Sequence, residues 1–258
     1  MSTNQLSQAP SVDRTEHQAA GPLMKVVRLH FADPMRLLGV PLTIFASTTA
    51  VCVVVMLLIR AFVPGDSAEF SEGFRYNQAP LWCFAGYFVS VGAFAYARTM
   101  PFAMGMGATR RQYWAGTAIA LVVESVFIGA SMTVFLALEK VTGHWFSGTR
   151  MFDVYVMGNG SFRDIFLMGF GISMFTLFAG TMFASVFVRW NQKGVLLVVF
   201  GIVAVALLLA WVLLSLGVDV VSFFSVDIVA RIAVGMIVLG LLSAAGSWLV
   251  LRRAPVGR

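Results

Sequence analysis

Charged side chains are scarce in this 258-residue chain, at 12% of the residues, and long stretches contain none. Apolar residues make up 59% of the sequence, more than the roughly 45–50% of a soluble domain. This composition excludes a soluble globular protein. The net charge of +6 does not indicate nucleic-acid binding, because the cations punctuate apolar runs instead of clustering on a polar face. The composition predicts an all-α integral membrane protein.

Residues with site chemistry are also few. The two cysteines, Cys52 and Cys83, lie in apolar runs without a CxxC spacing, and we interpret them as packing residues. The three histidines are scattered, and the sequence contains neither HExxH nor a GxSxG elbow. A phosphate-binding G-x4-GK[ST] loop is also missing, which excludes ATP hydrolysis by this chain. We therefore expect no catalytic residue, cofactor or metal in the chain itself.

Six apolar runs are long enough to cross a bilayer as helices, which takes about 20 residues each. They cover residues 41–59, 79–97, 112–138, 165–188, 195–217 and 232–251. Residues 1–22 are polar and predict a disordered cytosolic tail. The domain prediction is thus this tail, an amphipathic interfacial helix at 23–38, a six-helix transmembrane domain at 39–251 and a cytosolic tail at 252–258.

The lysines and arginines set the orientation, because cytoplasmic loops carry an excess of them. With both termini inside, the inner segments hold twelve of these residues and the outer segments six. The sequence therefore predicts cytoplasmic termini, and we expect the plasma membrane of a bacterium as the location.

The third run alone contains an internal charge, Glu124. Ionisable residues at that depth face a bundle interior or a water path, so Glu124 is either a structural carboxyl between helices or part of a transport pathway.

Segments between the runs have patterns of their own. Before the first run, residues 23–38 mix apolar and basic side chains, as in an interfacial helix, and Asp33-Pro34 predicts an N-cap followed by the first helical residue.

The outer loop 139–164 is rich in aromatic residues and glycine and predicts a partial cover, anchored by Trp145, Phe146, Phe152 and Tyr155. Its Asn159-Gly160-Ser161 is interpreted as a turn. Small residues four apart predict close helix packing inside one subunit at Gly86/Ser90, Gly180/Ala184 and Gly240/Ala244.

The inner loop between the second and third runs reads "RTMPFAMGMGATRRQYWAG", residues 98–116. Its arginines exclude a position in lipid. Pro101 suits a first helical turn, the methionines, Met104 among them, supply apolar surface, and Gly107 suits the end of that turn before Arg110 and Arg111. The loop therefore predicts a short surface helix.

The basic segment ending in "ADP", the six runs and this loop together resemble the membrane subunit of an ABC-2 type exporter. The loop is similar to the family pattern "P....slGvsRr.y..G", with matches at Pro101, Gly107, Arg110, Arg111, Tyr113 and Gly116. The resemblance implies an elbow helix before the first span and a coupling helix between spans two and three. It also implies a separate ATP-binding cassette ATPase that holds ATP and Mg²⁺ and contacts these residues and Met104.

The chain departs from the family outside the membrane, since residues 218–231 are short where many members carry a sizeable element. A second membrane subunit, identical or different, is the expected partner, since six helices enclose little room for a substrate. The predicted function is outward movement of a lipid-like, peptide or drug-like compound. Two alternatives stay open: an ion-coupled secondary carrier that uses Glu124, and a membrane scaffold or sensor partner that transports nothing.

Overall fold

The computed structural model describes residues 21–216 and 227–252. The regular structure in these ranges is helical, without a strand. The helices are α1 (Pro22–His30), α2 (Val40–Phe62), α3 (Ser67–Gly73), α4 (Ala79–Trp82), α5 (Ala85–Phe94), α6 (Met100–Gly105), α7 (Arg110–Val141), α8 (Phe162–Ser215) and α9 (Ile228–Leu251). Nearly all of the two predicted tails, and most of the loop 218–231, lie outside the described residues.

Five helical stretches in the described residues are long and apolar enough to cross a membrane. They are Met35–Phe62, Ser67–Gly105, Arg110–Val141, Phe162–Ser215 and Ile228–Leu251. Apolar runs form helices in lipid because every backbone N–H and C=O group must find its partner within the segment. The prediction of a helical chain with several stretches long and apolar enough to cross a membrane is therefore confirmed for the described residues.

The fourth stretch, α8, contains two of the six predicted runs. It has 54 residues, which at about 1.5 Å per residue is ~80 Å, far more than a ~30 Å hydrocarbon core. Asn191 interrupts it with a non-helical backbone, at φ 55° and ψ −158°. The residues before this break are largely buried, whereas residues 199–211 beyond it are all exposed.

The first part of α8 is the central helix of the bundle because its glycines let three neighbours approach. A Cβ atom at Gly180 would lie 2.2 Å from the carbonyl oxygen of Val89 in α5, and one at Gly171 would lie 2.8 Å from that of Ala233 in α9. On α7, a Cβ at Gly129 would lie 2.9 Å from the carbonyl oxygen of Phe166. Backbones this close gain van der Waals contact, the main force between helices in lipid.

The small-residue pairs behave differently from one another. Gly180 and Gly240 both contact neighbouring helices of the same chain, as predicted. Among the described residues, no atom lies within 4 Å of the ideal Cβ of Gly86, so this glycine mediates no close helix packing there. Gly92, outside the predicted pairs, makes the closest approach, since its Cβ would lie 2.0 Å from the carbonyl oxygen of Leu177.

Contacts along the helices give their relative directions. Arg110 at the start of α7 contacts Leu251 at the end of α9. One turn further along α7, Trp114 contacts Ser247, which lies one turn before Leu251 in α9. The two helices are therefore antiparallel. The first part of α8 and α9 are parallel, because Gly171 meets Ala233 and, further along both, Gly246 meets Met182. Two helices that are consecutive spans would instead be antiparallel.

The bundle has two distinct ends. We call the end that carries residues 21–39, 95–112 and 250–252 the N-terminal end, and the end that carries residues 63–78 and 139–164 the opposite end. At the N-terminal end, α1 is shorter than the predicted helix 23–38, because a turn at 31–33 ends it. Asp33 Oδ1 accepts a hydrogen bond from Arg36 N at 3.2 Å, and Pro34 is the first residue of the next helical segment, as its sequence predicts.

At the opposite end, the loop after α7 folds around one buried carboxylate. Glu139 is fully buried and accepts hydrogen bonds from the backbone N–H groups of Met151, Phe152 and Asp153, at 3.1, 2.7 and 3.1 Å. It also accepts one from Trp145 Nε1 at 3.2 Å. No motif or spacing around Glu139 in the sequence predicts this burial.

Two of the four predicted aromatic anchors lie elsewhere than expected. Phe152 is fully buried and packs its ring against Phe45 of α2, with centroids 6.0 Å apart, so it is a core residue. Trp145 is half-buried beside Glu139. Phe146 and Tyr155 remain exposed, at 88% and 41%. The prediction of an interfacial anchor was wrong for Phe152. The hydrogen bonds to Glu139 hold this part of the loop inside the bundle, where the Phe152 ring is buried.

Candidate functional site

The loop between α5 and α7 forms a short helix at the N-terminal end of the bundle. After a wide turn at Ala95–Thr99, α6 begins at Met100, with Pro101 in its first turn, and it ends at Gly105. Gly107 then adopts a φ of +86°, a left-handed conformation that favours glycine. The predicted short helix is confirmed, together with the roles of Pro101 and Gly107 in starting and ending it.

The reversal from α6 into α7 is closed by a capping box that the sequence analysis missed. Thr109 Oγ1 accepts a hydrogen bond from Gln112 N at 3.3 Å, and Gln112 Oε1 accepts one from Thr109 N at 3.0 Å. The signal was in the sequence, since a threonine followed three residues later by glutamine is typical of a helix start. The cap sets where α7 begins and thus which way Arg110 and Arg111 project.

An exposed patch lies on this loop. Phe102 and Met106 are 57% and 61% exposed, and Pro101, Gly107 and Arg111 are also exposed. We call these five residues the loop patch. Met104, predicted to contribute apolar surface, is half-buried. The loop patch combines apolar side chains with one cation, which suits either a lipid interface or a protein partner.

Tyr113 and Gly116 lie beneath this surface. Tyr113 is fully buried, and its hydroxyl donates a hydrogen bond to the carbonyl oxygen of Ala95. A Cβ at Gly116 would lie 2.8 Å from Val26 Cβ, so this glycine lets α1 rest directly on α7. The expectation that these two residues contact a partner needs correction: they are buried because they hold α1 and the loop together.

Arg110 faces away from the loop patch. Its Nη1 donates to the carbonyl oxygens of Leu251 and Arg252, at 3.3 and 3.4 Å. Those carbonyls end α9 and have no partner within their own helix, so a guanidinium suits them. Next to it, Trp114 Nε1 donates to Ser247 Oγ at 3.2 Å. The two adjacent arginines therefore differ: Arg110 joins two helices, and Arg111 is exposed.

Glu124 lies in a second place, near the middle of α7. It is 1% exposed, and its Oε1 has no hydrogen-bond partner among the described residues. It forms part of the wall of a cavity of about 150 Å³, which we call the elbow cavity. This cavity is lined by Leu29, His30, Ala32, Asp33, Arg36, Leu37, Val91, Phe94, Ala95, Thr99, Ala120, Leu121 and Glu124. Because Asp33 and Arg36 are exposed, the elbow cavity reaches the surface at the N-terminal end.

His30, the last residue of α1, also lines the elbow cavity. Its Nδ1 is 3.0 Å from the carbonyl oxygen of Val26, and its buried Nε2 has no partner among the described residues. Burial lowers the pKa of His30 below its ordinary value of 6.5, and the hydrogen bond to Val26 opposes this in part. The ring is therefore neutral at pH 7.

Glu124 lies apart from the loop patch, of which only Arg111 belongs to α7. From Arg111 to Glu124 the helix rises by about 20 Å. They are linked through residues 95–99, since Ala95 and Thr99 line the elbow cavity and Ala95 also binds Tyr113. No group of three or more metal-ligating His, Cys, Asp or Glu side chains occurs among the described residues.

Comparisons with protein families, with curated proteins and with solved structures find no match to this chain. The site is therefore interpreted from its own residues and geometry.

Proposed function

We propose that this chain is the membrane subunit of an ATP-driven exporter of the ABC-2 type, in which a separate ATPase docks on the loop patch. The observation on which the proposal rests is a short helix that ends the second membrane-crossing stretch, directly before the third, with an exposed face and a base packed against other helices. Its exposed face carries Phe102 and Met106 beside Arg111. Its base is tied to α1 by Gly116 and to α9 by Arg110. Force applied to the loop patch would therefore reach both the first and the last helices of the bundle.

The helix directions support six crossings with both termini on one side. The first part of α8 and α9 run parallel, so the chain between them must return across the membrane. Residues 195–215 are apolar except for Ser215 and have the ~20 residues that one crossing needs, and the break at Asn191 lies just before them. The N-terminal end is then cytoplasmic by the distribution of lysine and arginine, with α1 as an interfacial elbow.

The exposed part of α8 supports a second membrane subunit. Residues 199–211 are all exposed, with Phe200 at 70% and Trp211 at 67%. Such a helix packs against little of its own chain, and lipid or another copy must cover it. The exported compound is proposed to be lipid-like, a peptide or drug-like.

The alternative of an ion-coupled carrier rests on Glu124, because a buried carboxyl beside a cavity is typical of proton and ion pathways. Hydrolysis distinguishes the two functions. An exporter subunit isolated from its native membrane should carry Mg²⁺-dependent ATPase activity with it, whereas a carrier or a scaffold should not.

The test uses the tagged full chain, purified from its native membrane, with ATP hydrolysis as the readout. Wild type should retain ATPase activity, and Phe102→Ala with Arg111→Ala should lose about 90% of it, because an apolar anchor and a charge at an interface centre each contribute more than 1 kcal/mol. Phe62→Ala is the matched control, since Phe62 is 80% exposed at the opposite end. Absence of copurifying hydrolysis from the wild-type chain would refute the proposal.

Sidedness has its own test, which uses two glycines with open space around Cβ. In a chain with Cys52→Ala and Cys83→Ala, Gly105→Cys lies at the N-terminal end and Gly73→Cys at the opposite end. An impermeant maleimide should label Gly105→Cys only from the cytosolic side and Gly73→Cys only from outside. Six crossings further require that Ile228→Cys, at the start of α9, reacts from the same side as Gly73→Cys; reaction from the cytosolic side would contradict them.

A further inference from the structure

We infer that the elbow cavity is a binding site for a small organic cation, whose primary ammonium group donates hydrogen bonds to Glu124 and His30. This inference concerns residues within the bundle and does not rest on an ATPase partner. It depends on which hydrogen-bonding groups face the elbow cavity and which of them lack partners.

Glu124 is the first of two acceptors that lack a partner. Its Oε1 is buried without a hydrogen bond from any described residue. More than nine-tenths of buried polar groups in proteins have a partner, and an unpaired buried carboxylate is costly. The neighbouring serine, Ser125, offers no help, because its hydroxyl donates to the carbonyl oxygen of Leu121. Glu124 lines the elbow cavity, and the proposed ligand in this cavity supplies the missing donor.

His30 is the second acceptor, and its hydrogen bond to Val26 determines this. A carbonyl oxygen can only accept, so Nδ1, 3.0 Å from Val26 O, carries the proton of the neutral ring. The other nitrogen, Nε2, then has a lone pair and accepts. Nε2 is buried without a partner as well. Both unsatisfied groups on the wall of the elbow cavity thus require a donor.

A primary ammonium group meets this requirement better than water does. It carries three N–H donors and a positive charge, so it can bind both acceptors and neutralise the carboxylate. A water molecule can donate to both but leaves the buried charge uncompensated. The volume of about 150 Å³ holds several times the ~30 Å³ share of one water. Leu37, Val91 and Leu121 form apolar walls that suit a short alkyl chain.

The charges around the elbow cavity are compatible with a cation inside it. Among its lining residues Arg36 is the one permanent cation, and its guanidinium lies over the Phe94 ring, 5.3 Å from the centroid. Asp33, on the same turn, contributes a carboxylate at the rim. The α5 side contributes Tyr87, whose hydroxyl donates to the carbonyl oxygen of Arg36. The net charge at the rim is thus close to zero. Selectivity for a cation therefore arises from Glu124 and His30 inside the elbow cavity.

The experiment measures how fast two thiol reagents of opposite charge enter the elbow cavity. The protein is the full chain with Cys52→Ala, Cys83→Ala and Ala120→Cys, purified in detergent, because Ala120 lines the elbow cavity and is only 2% exposed. The reagents are 2-aminoethyl methanethiosulfonate, which carries a primary ammonium, and 2-sulfonatoethyl methanethiosulfonate. Each rate is divided by the rate of the same reagent with 2-mercaptoethanol.

With Glu124 present, the ammonium reagent should react about tenfold faster than the sulfonate after this correction, as local fields raise encounter rates by such factors. Glu124→Gln, which keeps the shape and removes the charge, should abolish the difference. The matched control is Val123→Cys on the same helix, which is 48% exposed on the outer face and should show equal corrected rates. Equal corrected rates at Ala120→Cys with Glu124 present would mean that the elbow cavity does not favour a cation, and would overturn the inference. The absence of reaction with both reagents would overturn it as well.

A second measurement leaves Glu124 unchanged and so does not depend on the folding of the Gln variant. Ethylammonium chloride should slow modification of Ala120→Cys by the ammonium reagent, relative to the same concentration of sodium chloride, because it occupies the site. It should not slow modification of Val123→Cys. Identical rates at Ala120→Cys in the two salts would also overturn the inference.

Discussion

Arg110, the first residue of α7, donates hydrogen bonds to the carbonyl oxygen of Leu251, the last residue of α9, and to that of Arg252. These residues are about 140 positions apart in the chain. The contact joins the amino end of one helix to the carboxyl end of another, where a cation is favoured by the helix dipole. Arg110 and Arg111 are adjacent in the sequence but have different roles, because Arg110 makes this contact and Arg111 is exposed.

The first prediction concerns this pair. Arg110→Ala should lower the free energy of unfolding by about 1–2 kcal/mol, because two carbonyls at the end of α9 lose a charged donor. Arg111→Ala is the matched control and should change it by less than about 0.5 kcal/mol, since Arg111 is exposed. Thermal unfolding of both variants in detergent micelles checks the difference, and equal losses would contradict the assigned role of Arg110.

A second prediction tests the close approach of α5 and α8. A methyl group at Gly180 would meet the carbonyl oxygen of Val89 at 2.2 Å, and backbone cannot move aside as a flexible side chain can. Gly180→Ala should therefore destabilise the bundle by about 1–3 kcal/mol. Gly86→Ala is the control, because nothing lies within 4 Å of its Cβ. Its melting temperature should equal or exceed that of wild type; a loss at Gly86 as large as at Gly180 would contradict the packing described.

The third prediction concerns Glu139, which holds the loop at the opposite end. Glu139→Ala leaves three backbone N–H groups and the Trp145 indole without their acceptor, and it should cost about 3 kcal/mol or more. Glu69→Ala, on the exposed helix α3 at the same end, should be nearly neutral. Limited proteolysis should cut the loop 143–160 of the Glu139 variant faster than that of wild type. Unchanged cleavage would show that the loop is held in some other way.

The fourth prediction is a pH dependence that follows from His30. Burial lowers its pKa in the folded protein below 6.5, so the unfolded chain binds more protons in the window just below pH 6.5. The contribution of the neutral ring to stability is therefore fully present above pH 6.5 and is lost as the pH falls through that window. His30→Gln lacks this pH-dependent contribution to the free energy of unfolding. The difference in that free energy between wild type and variant should therefore shrink on acidification from pH 7.5 to 5.5. A difference that stays constant would contradict a buried neutral His30.

Several predictions based on short-range patterns were confirmed by the structure. The helix at 100–105, the proline in its first turn and the hydrogen bond from Arg36 N to Asp33 at the next helix start all depend on residues close to one another in the chain. The capping box of Thr109 and Gln112 is of the same kind and could have been predicted. Local backbone preferences and hydrogen bonds decide such features, so the sequence displays them directly.

Glu139 and Phe152 show where such patterns fail. Glu139 looks like a solvated acidic residue, and the groups that bury it come 12 to 14 positions later in the chain. Phe152 looks like an interfacial aromatic until the hydrogen bond of its backbone to Glu139 places its ring against Phe45. Neither arrangement has a periodic or spacing signal.

The sequence by itself determined that this protein is helical and apolar enough to cross a membrane, because composition and run length decide how a chain meets lipid. It also singled out Glu124 as the one charge inside the six apolar runs. Only the tertiary structure decided that Glu124 faces a cavity together with His30, that Tyr113 and Gly116 are buried under α1, and that Arg110 holds α9. These relationships join residues from different helices, and the packing of backbones at their glycines decides which faces meet.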